Sequence, residues 1–356
     1  MAVIDKYLTF LRDQGGSDLH LSANRQPMIR LDGSMVKLKS NPLRPKETEA
    51  IFAEIMPPLN RKEFEEASDT DFAYELPDVA RFRVNVFRDL QGIGGVLRLI
   101  PAKIATADDL GLPDVVRHFC TLPKGLVLVT GPTGCGKSTT LAAMVDLINK
   151  SRKDHIVTIE DPIEFVHEPQ SCLINQREVG SHTGSFARAL RAGLREDPDI
   201  VLVGEMRDLE TTHIAIETAE TGHLVLGTLH TTTAVTTVNR LIDQFPTNQQ
   251  EQIRSMLATT LRGVIAQTLL KRRSKGRVAA FEVLVVTTGV ANNIRERKIH
   301  QIPSLMQTGA KLGMVCMNDS LLRLVLDGLV EPREAITQAV DRDELVQKFR
   351  VAGVDV

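Results

Sequence analysis

The run Gly131-Pro132-Thr133-Gly134-Cys135-Gly136-Lys137-Ser138-Thr139 has the residue types and spacing of a phosphate-binding loop. Its glycines let the backbone turn successive N–H groups inward around phosphate oxygens. A helix starting at Lys137 adds the positive end of its dipole. Lys137 is placed to reach β- and γ-phosphates, and the Ser138 hydroxyl to ligate Mg²⁺. The flanks agree. Gly125-Leu126-Val127-Leu128-Val129-Thr130 is a continuous apolar run, as in a strand buried on both faces of a parallel sheet. Helical spacing then runs to about Asn149. With that strand before it and that helix after it, the pattern reads as a nucleotide site rather than a chance glycine turn.

Four further groups of residues suit the same chemistry. Ile200-Val201-Leu202-Val203-Gly204-Glu205 is an apolar strand closed by an acid, a Walker B-like arrangement with Glu205 near the Mg²⁺. Aspartate is usual there, so glutamate is a variant. Thr158-Ile159-Glu160-Asp161-Pro162-Ile163-Glu164 ends another buried strand in carboxylates, which suit Mg²⁺ binding and activation of a water. Glu164 or Glu160 is the candidate general base, against the plain alternative of a solvated acidic turn. His223 and His230 bracket a third strand. They suggest a γ-phosphate sensor or a subunit contact, with structural histidines as the alternative. A zinc pair lacks a third ligand. Arg81 and Arg83 share one strand face opposite Phe82, Val84 and Val86. With Arg88 they could stabilise charge on a neighbour's phosphates, or simply line a solvated face. Lys271-Arg272-Arg273-Ser274-Lys275 reads as an exposed loop. Cys135 has two readings: a thiol made reactive by Lys137 and the loop N–H groups, or a buried and inert one.

These residues need scaffolds. At 356 residues the chain exceeds one compact core, so two domains are expected. A net charge of −2 argues against a nucleic-acid coat or a general membrane binder. Aromatic content of 4% with no Trp leaves no stacking platform for single strands, so no nucleic-acid partner is expected. Cys120, Cys135, Cys172 and Cys316 lie far apart, which indicates neither a zinc site nor a disulfide framework and fits a reducing cytosol. Charges interrupt the N-terminus at once, unlike a secretory signal. No apolar run reaches the length of a membrane span.

Val3, Ile4, Tyr7, Leu8 and Leu11 recur at helical spacing up to Gly15-Gly16. Leu19-His20-Leu21 alternates, and residues 28–31 and 35–38 flank Asp32-Gly33, a hairpin signal. Residues 46–66 read as helical, and 81–87 and 94–100 as strands. Residues 1–100 therefore form an α+β domain. Pro101 opens a connector over 101–122 that carries Asp108, Asp109 and Gly111-Leu112-Pro113. Buried-strand patterns at 125–130, 156–159, 200–203 and 224–228, with helices between, make 123–285 a wound core of the α/β class. Residues 286–356 read as helical, with a loop around 309–317.

Five stretches occur in a fixed order: Gly16-Ser17-Asp18-Leu19-His20-Leu21, the phosphate loop, Glu160-Asp161-Pro162-Ile163-Glu164-Phe165-Val166-His167, Leu202-Val203-Gly204-Glu205-Met206-Arg207-Asp208, and Glu220-Thr221-Gly222-His223 through Leu229-His230-Thr231. Together they resemble the secretion ATPase superfamily of the type II secretion and type IV pilus systems. They match its N-terminal signature, Walker A, Asp box, Walker B and His box, across essentially the whole chain. The resemblance implies a PAS-like N-terminal domain, a RecA-like P-loop ATPase domain with C-terminal helices, and a homo-hexameric ring with ATP between subunits. It implies Glu164 as catalytic base, Glu205 acting at the Mg²⁺ and water, and His230 as a sensor-like residue. Arg81, Arg83 and Arg88 would reach the nucleotide. Gly131, Thr133, Gly134, Cys135, Gly136, Lys137, Ser138, Thr139, Glu160, Asp161 and His223 would line it. It further implies a cytoplasmic ring docked at the inner face of the cytoplasmic membrane, on the PilC-type platform protein. ATP-driven closure would turn that protein and return pilin subunits to the membrane. A paralogous retraction ATPase would be a further partner.

The sequence is most similar to the retraction branch of that family, with one departure. Retraction ATPases typically carry Ala-Ile-Arg-Asn-Leu-Ile-Arg-Glu where this chain reads Gly289-Val290-Ala291-Asn292-Asn293-Ile294-Arg295-Glu296. The segment is linked to retraction rather than hydrolysis, so an accessory retraction ATPase is an alternative. Extension and secretion ATPases carry an extra N-terminal domain and usually a four-cysteine zinc insert, and neither is seen here. A nucleic-acid motor would want a basic pore. A non-catalytic nucleotide-binding protein would not need Lys137, Ser138, Glu164 and Glu205 together.

Overall fold

The computed structural model describes residues 2–31, 33–77, 79–100 and 104–355. The turn residue Asp32 and the connector's first residue, Pro101, lie outside the described residues. By its contacts the chain divides into two units: Met1–Lys103 with Pro162–Val166, and Ile104–Asp161 with His167–Val356.

The first unit holds helices α1 (Asp5–Asp13), α2 (Pro45–Ile55) and α3 (Pro58–Ala67). Its strands are β1 (Asp18–Leu21), β2 (Met28–Leu31), β3 (Ser34–Lys37), β4 (Asp69–Leu76), β5 (Ala80–Asp89) and β6 (Gly92–Ile100). They form an antiparallel sheet in the order β3-β2-β1-β6-β5-β4. One face packs Leu19, Leu21, Phe82, Val84 and Leu97 against Leu8, Leu11 and Phe52 of the helices. This is the expected α+β unit, and β2 and β3 pair as the expected hairpin. The helical pattern over 46–66 is present, as two helices. Pro57 and Pro58 have no N–H for a helical turn, and Pro58 instead serves as the first residue of α3.

The second unit is built on β7 (Gly125–Thr130), β8 (His155–Glu160), β9 (Leu173–Glu178), β10 (Ile200–Val203), β11 (Leu224–Leu229), β12 (Leu261–Lys271) and β13 (Arg277–Val285). The order is β13-β12-β7-β11-β10-β8-β9, parallel throughout except for the β12–β13 hairpin. Its helices are α4 (Asp114–Cys120), α5 (Lys137–Ser151), α6 (Phe186–Gly193), α7 (Leu209–Thr221), α8 (Ala234–Asp243), α9 (Gln250–Thr260), α10 (Thr288–Arg295), α11 (Ile302–Thr308), α12 (Met317–Leu326), α13 (Pro332–Thr337) and α14 (Arg342–Val351). All four buried strands expected from the apolar runs are present. Because the strands are parallel, the carboxyl ends of β7, β11, β10 and β8 meet at one edge.

Residues read as a connector belong in part to this unit. Ala107 and Leu112, with Val116, Phe119 and Cys120 of α4, join a core with Val127, Val129, Met144 and Ile265. At the far end, α12 and α14 bury Leu321, Val325, Leu345 and Phe349 on Leu270 and Ala280 of the hairpin. Of the run expected as an exposed loop, Lys271 ends β12 and Arg273, Ser274 and Lys275 are exposed, whereas Arg272 is half-buried.

Phe119 shows how tightly the former connector is held. A Cβ added at Gly263 would lie 2.3 Å from its ring. Gly263→Ala is expected to destabilise the second unit by about 1–3 kcal/mol, as overpacking does. Urea unfolding measures this, and an unchanged midpoint would contradict the packing described.

Candidate functional site

The phosphate loop leaves β7 at the carboxyl edge. Gly131 has φ 145° and a Cβ there would lie 2.3 Å from the Gln267 carbonyl oxygen, so only glycine fits. Gly136, with φ 93°, turns the chain into α5. Lys137, Ser138 and Thr139 form the half-buried first turn of that helix, whose N–H groups have no partners within it. Thr133 and Gly134 lie exposed at the tip of the loop. A buried glutamine braces it from below. Gln267 of β12 donates from Nε2 to the Cys135 carbonyl at 2.7 Å and accepts from the Thr140 hydroxyl at 2.8 Å.

Lys137 Nζ donates to the Gly131 and Pro132 carbonyls at 2.9 and 3.2 Å and lies 3.4 Å from His230 Nδ1. His230 follows β11, the strand beside β7. Its Nε2 is 2.6 Å from Glu205 Oε1, which also pairs with Arg207 Nε at 2.5 Å. An ionised carboxylate only accepts, so Nε2 carries the proton and Nδ1 faces the ammonium as an acceptor. Burial works against the charge on Glu205, but the hydrogen bonds from Arg207 and His230, with the Arg207 charge, outweigh it and hold its pKa below the usual value. A pocket of about 390 Å³ opens here, lined by Glu205, Arg207, His230, Thr231, Arg240 and Gln244.

Other expected residues are placed differently. Glu160 ends β8, three strands from β7, or roughly 14 Å at about 4.8 Å per strand. Its carboxylate accepts from the Thr158 hydroxyl at 2.6 Å and from Gln176 at 3.1 Å. Asp161 is exposed beside it, and its charge acts on Arg207. Glu164 lies on Pro162–Val166, between buried Ile163 and Phe165, and is the one acid of the set that groups with the first unit. His223 is a correction. It precedes β11, so a parallel strand puts it at the amino edge, about 23 Å of extended chain from His230. Its carbonyl accepts from Gly125 at the start of β7, and its ring caps the end of α7 through the Thr218 carbonyl. The reactive reading of Cys135 is also corrected. The thiol is 3% exposed, and burial raises its pKa despite Lys137 and the loop N–H groups.

In the first unit, Arg81 and Arg83 project from the face opposite Phe82, Val84 and Val86, as expected. Arg88 does not join them. It shares the register of the core face and lies over the Phe64 ring, 5.5 Å from its centre. The sequence reading missed Arg98, which sits directly opposite Arg83 on β6. Buried Asp18 accepts from Arg98 Nε at 2.8 Å and approaches Arg30 at 3.7 Å. The signature around Asp18 thus anchors arginines on the face that carries Arg83.

The sequence matches the family described as Type II/IV secretion system protein over residues 1–337. The chain belongs to that family. It is 52% identical over 336 residues to the Type IV pilus retractation ATPase PilT of Pseudomonas aeruginosa, covering 94% of this chain and 98% of that one. It is 36% identical to the Type IV pilus ATPase PilU of the same organism, over 96% of this chain and 90% of that one. The crystal structure of the pilus retraction motor PilT with bound ADP superposes with a TM-score of 0.91 at 45% identity, over 98% of this chain and 99% of that one. These relatives are ATPases, and the chain is accordingly an ATP-hydrolysing enzyme. Gln267, Arg207 and Arg240 escaped the sequence reading. Arg207 lay within the quoted Walker B stretch, whereas Gln267 depends on a strand pairing that no local pattern reveals.

Two outcomes follow from the loop's surroundings. Gln267→Ala leaves the Cys135 carbonyl and Thr140 hydroxyl without their partner, a cost of about 1–3 kcal/mol, or roughly 5- to 150-fold in nucleotide affinity. Titration with fluorescent ADP measures it, and unchanged affinity would contradict the brace. Iodoacetamide is expected to spare Cys135 in the folded protein and to label it only after unfolding. Mass spectrometry reads the difference, and labelling of Cys135 in the folded chain would restore the reactive reading.

Proposed function

We propose that the chain is a homo-hexameric motor that hydrolyses ATP to drive type IV pilus retraction, and thereby twitching motility. The observation that carries this reading is the line of contacts from Lys137 through His230 to Glu205 at the carboxyl edge of a parallel sheet. Lys137 holds the β- and γ-phosphates. His230, whose two nitrogens face Lys137 and Glu205, senses the γ-phosphate. Glu164 acts as the base for the attacking water.

The residues fit Mg²⁺. Ser138 presents a hydroxyl in the first turn of α5, and Glu205 is held as a carboxylate. No group of three His, Cys, Asp or Glu side chains that could hold a metal ion occurs among the described residues. When bound, the ion neutralises phosphate charge. Arg81, Arg83 and, from its cross-strand position, Arg98 supply positive charge to a nucleotide between subunits. In this reading the ring works in the cytoplasm at the inner face of the membrane, on a PilC-type platform protein.

One observation favours a second reading, an accessory retraction ATPase. The departures at Ala291 and Asn293 fall on α10, where both are half-buried, while Asn292, Arg295 and Glu296 are exposed. The higher identity to PilT than to PilU supports the main retraction motor.

Glu205→Gln is expected to lower ATP turnover at least about 100-fold, the usual cost of losing a group at the proton-transfer and metal centre. Phosphate release measures it, and turnover within threefold of wild type would contradict the assignment. A deletion strain separates the cellular roles. Excess pili without twitching is the expected result; normal pili would mean the accessory role, and no pili would mean extension.

A further inference from the structure

Glu282 lies on β13 and is only 8% exposed. Among the described residues its carboxylate pairs with no basic side chain. Instead Oε1 accepts from the Ala234 N–H at 2.7 Å and Oε2 from the Met317 N–H at 3.4 Å. Those residues begin α8 and α12. First-turn N–H groups have no partner within their helix, and the positive end of a helix favours an anion. Cys316 gives α12 no side-chain cap. One buried carboxylate therefore closes two helix starts. Burial raises its pKa above the usual carboxylate value, and the two N–H groups offset only part of that rise.

The two helices lead to different parts of the unit. α8 follows His230 by four residues. Its Thr237 hydroxyl lies 2.7 Å from that of Thr231 and 3.5 Å from that of Thr130. It therefore touches the residue after His230 and the residue before Gly131. On the other side, Val283 and Val315 exchange backbone hydrogen bonds at 2.8 and 3.0 Å, which seats the lead-in to α12 on β13. Asn318 of α12 then donates to the Asp341 carbonyl and to Glu344 of α14 at 2.9 and 2.6 Å.

We propose that Glu282 is a positioning residue that couples the His230 loop to the C-terminal helices. A shift of that loop with the state of the nucleotide moves the start of α8, and the shared carboxylate passes the shift to the start of α12. This rests on the reading of His230 as a γ-phosphate sensor. A group that merely held the fold together would show no dependence on the nucleotide.

Hydrogen exchange of the full chain, with ATPγS and with ADP, tests this. Wild type should differ between the two nucleotides at residues 230–236 and also at 314–320. Glu282→Gln should keep the first difference and lose the second. Its kcat should fall about tenfold, within the range usual for coupled sites, with KM for ATP within twofold. Identical exchange at 314–320 with both nucleotides in wild type would overturn the coupling, even if Glu282→Gln does not fold. So would a Glu282→Gln protein that keeps both exchange differences and normal kcat. Absence of any difference at 230–236, with no ATP turnover in wild type, would instead contradict the proposed function.

Discussion

Lys137, His230 and Glu205 come from three separate stretches of chain, yet they touch in series. The reason is the order β7-β11-β10 in a parallel sheet. Parallel strands end at the same edge, and adjacent ends lie about 4.8 Å apart. Each side chain therefore needs to span only one strand spacing to reach the next. Glu160, on the following strand, is a step too far and binds its own neighbours. The sheet thus selects which of several plausible acids joins the phosphate loop, and the loop's identity matters only because of that order.

The same constraint explains why buried polar groups gather around the site. Gln267 reaches the loop from β12, on the opposite side of β7 from His230. It fixes a backbone carbonyl that an apolar side chain would leave unpaired. Glu282, on the next strand out, closes helix starts in the same manner. Both exact a desolvation cost that only saturated hydrogen bonding offsets.

Much of this was legible in the chain. Apolar runs ending in glycine, acid or histidine identified four buried strands and the phosphate loop, because buried parallel strands need no alternation and their ends carry the chemistry. The helical stretch 46–66 is divided at Pro57-Pro58, since proline donates no hydrogen bond. The mistakes have physical causes. His223 was grouped with His230 because both flank β11, although flanking opposite ends of a parallel strand places them at opposite edges. β9, β12 and β13 escaped because half-polar edge strands and a hairpin lack a continuous apolar run. Gln267 and Arg98 were unreadable for a different reason: each matters only through its cross-strand neighbour, and register is not written in local pattern.

The central claim is that Glu205 and His230 act as one unit at the nucleotide. A double-mutant cycle tests it most directly, with single-turnover ATP hydrolysis measured for Glu205→Gln, His230→Ala and the two together. If the pair is one unit, the double variant should lose no more than about threefold beyond the worse single variant, since groups acting together give strongly non-additive losses. Losses that multiply would show two independent groups and contradict the account.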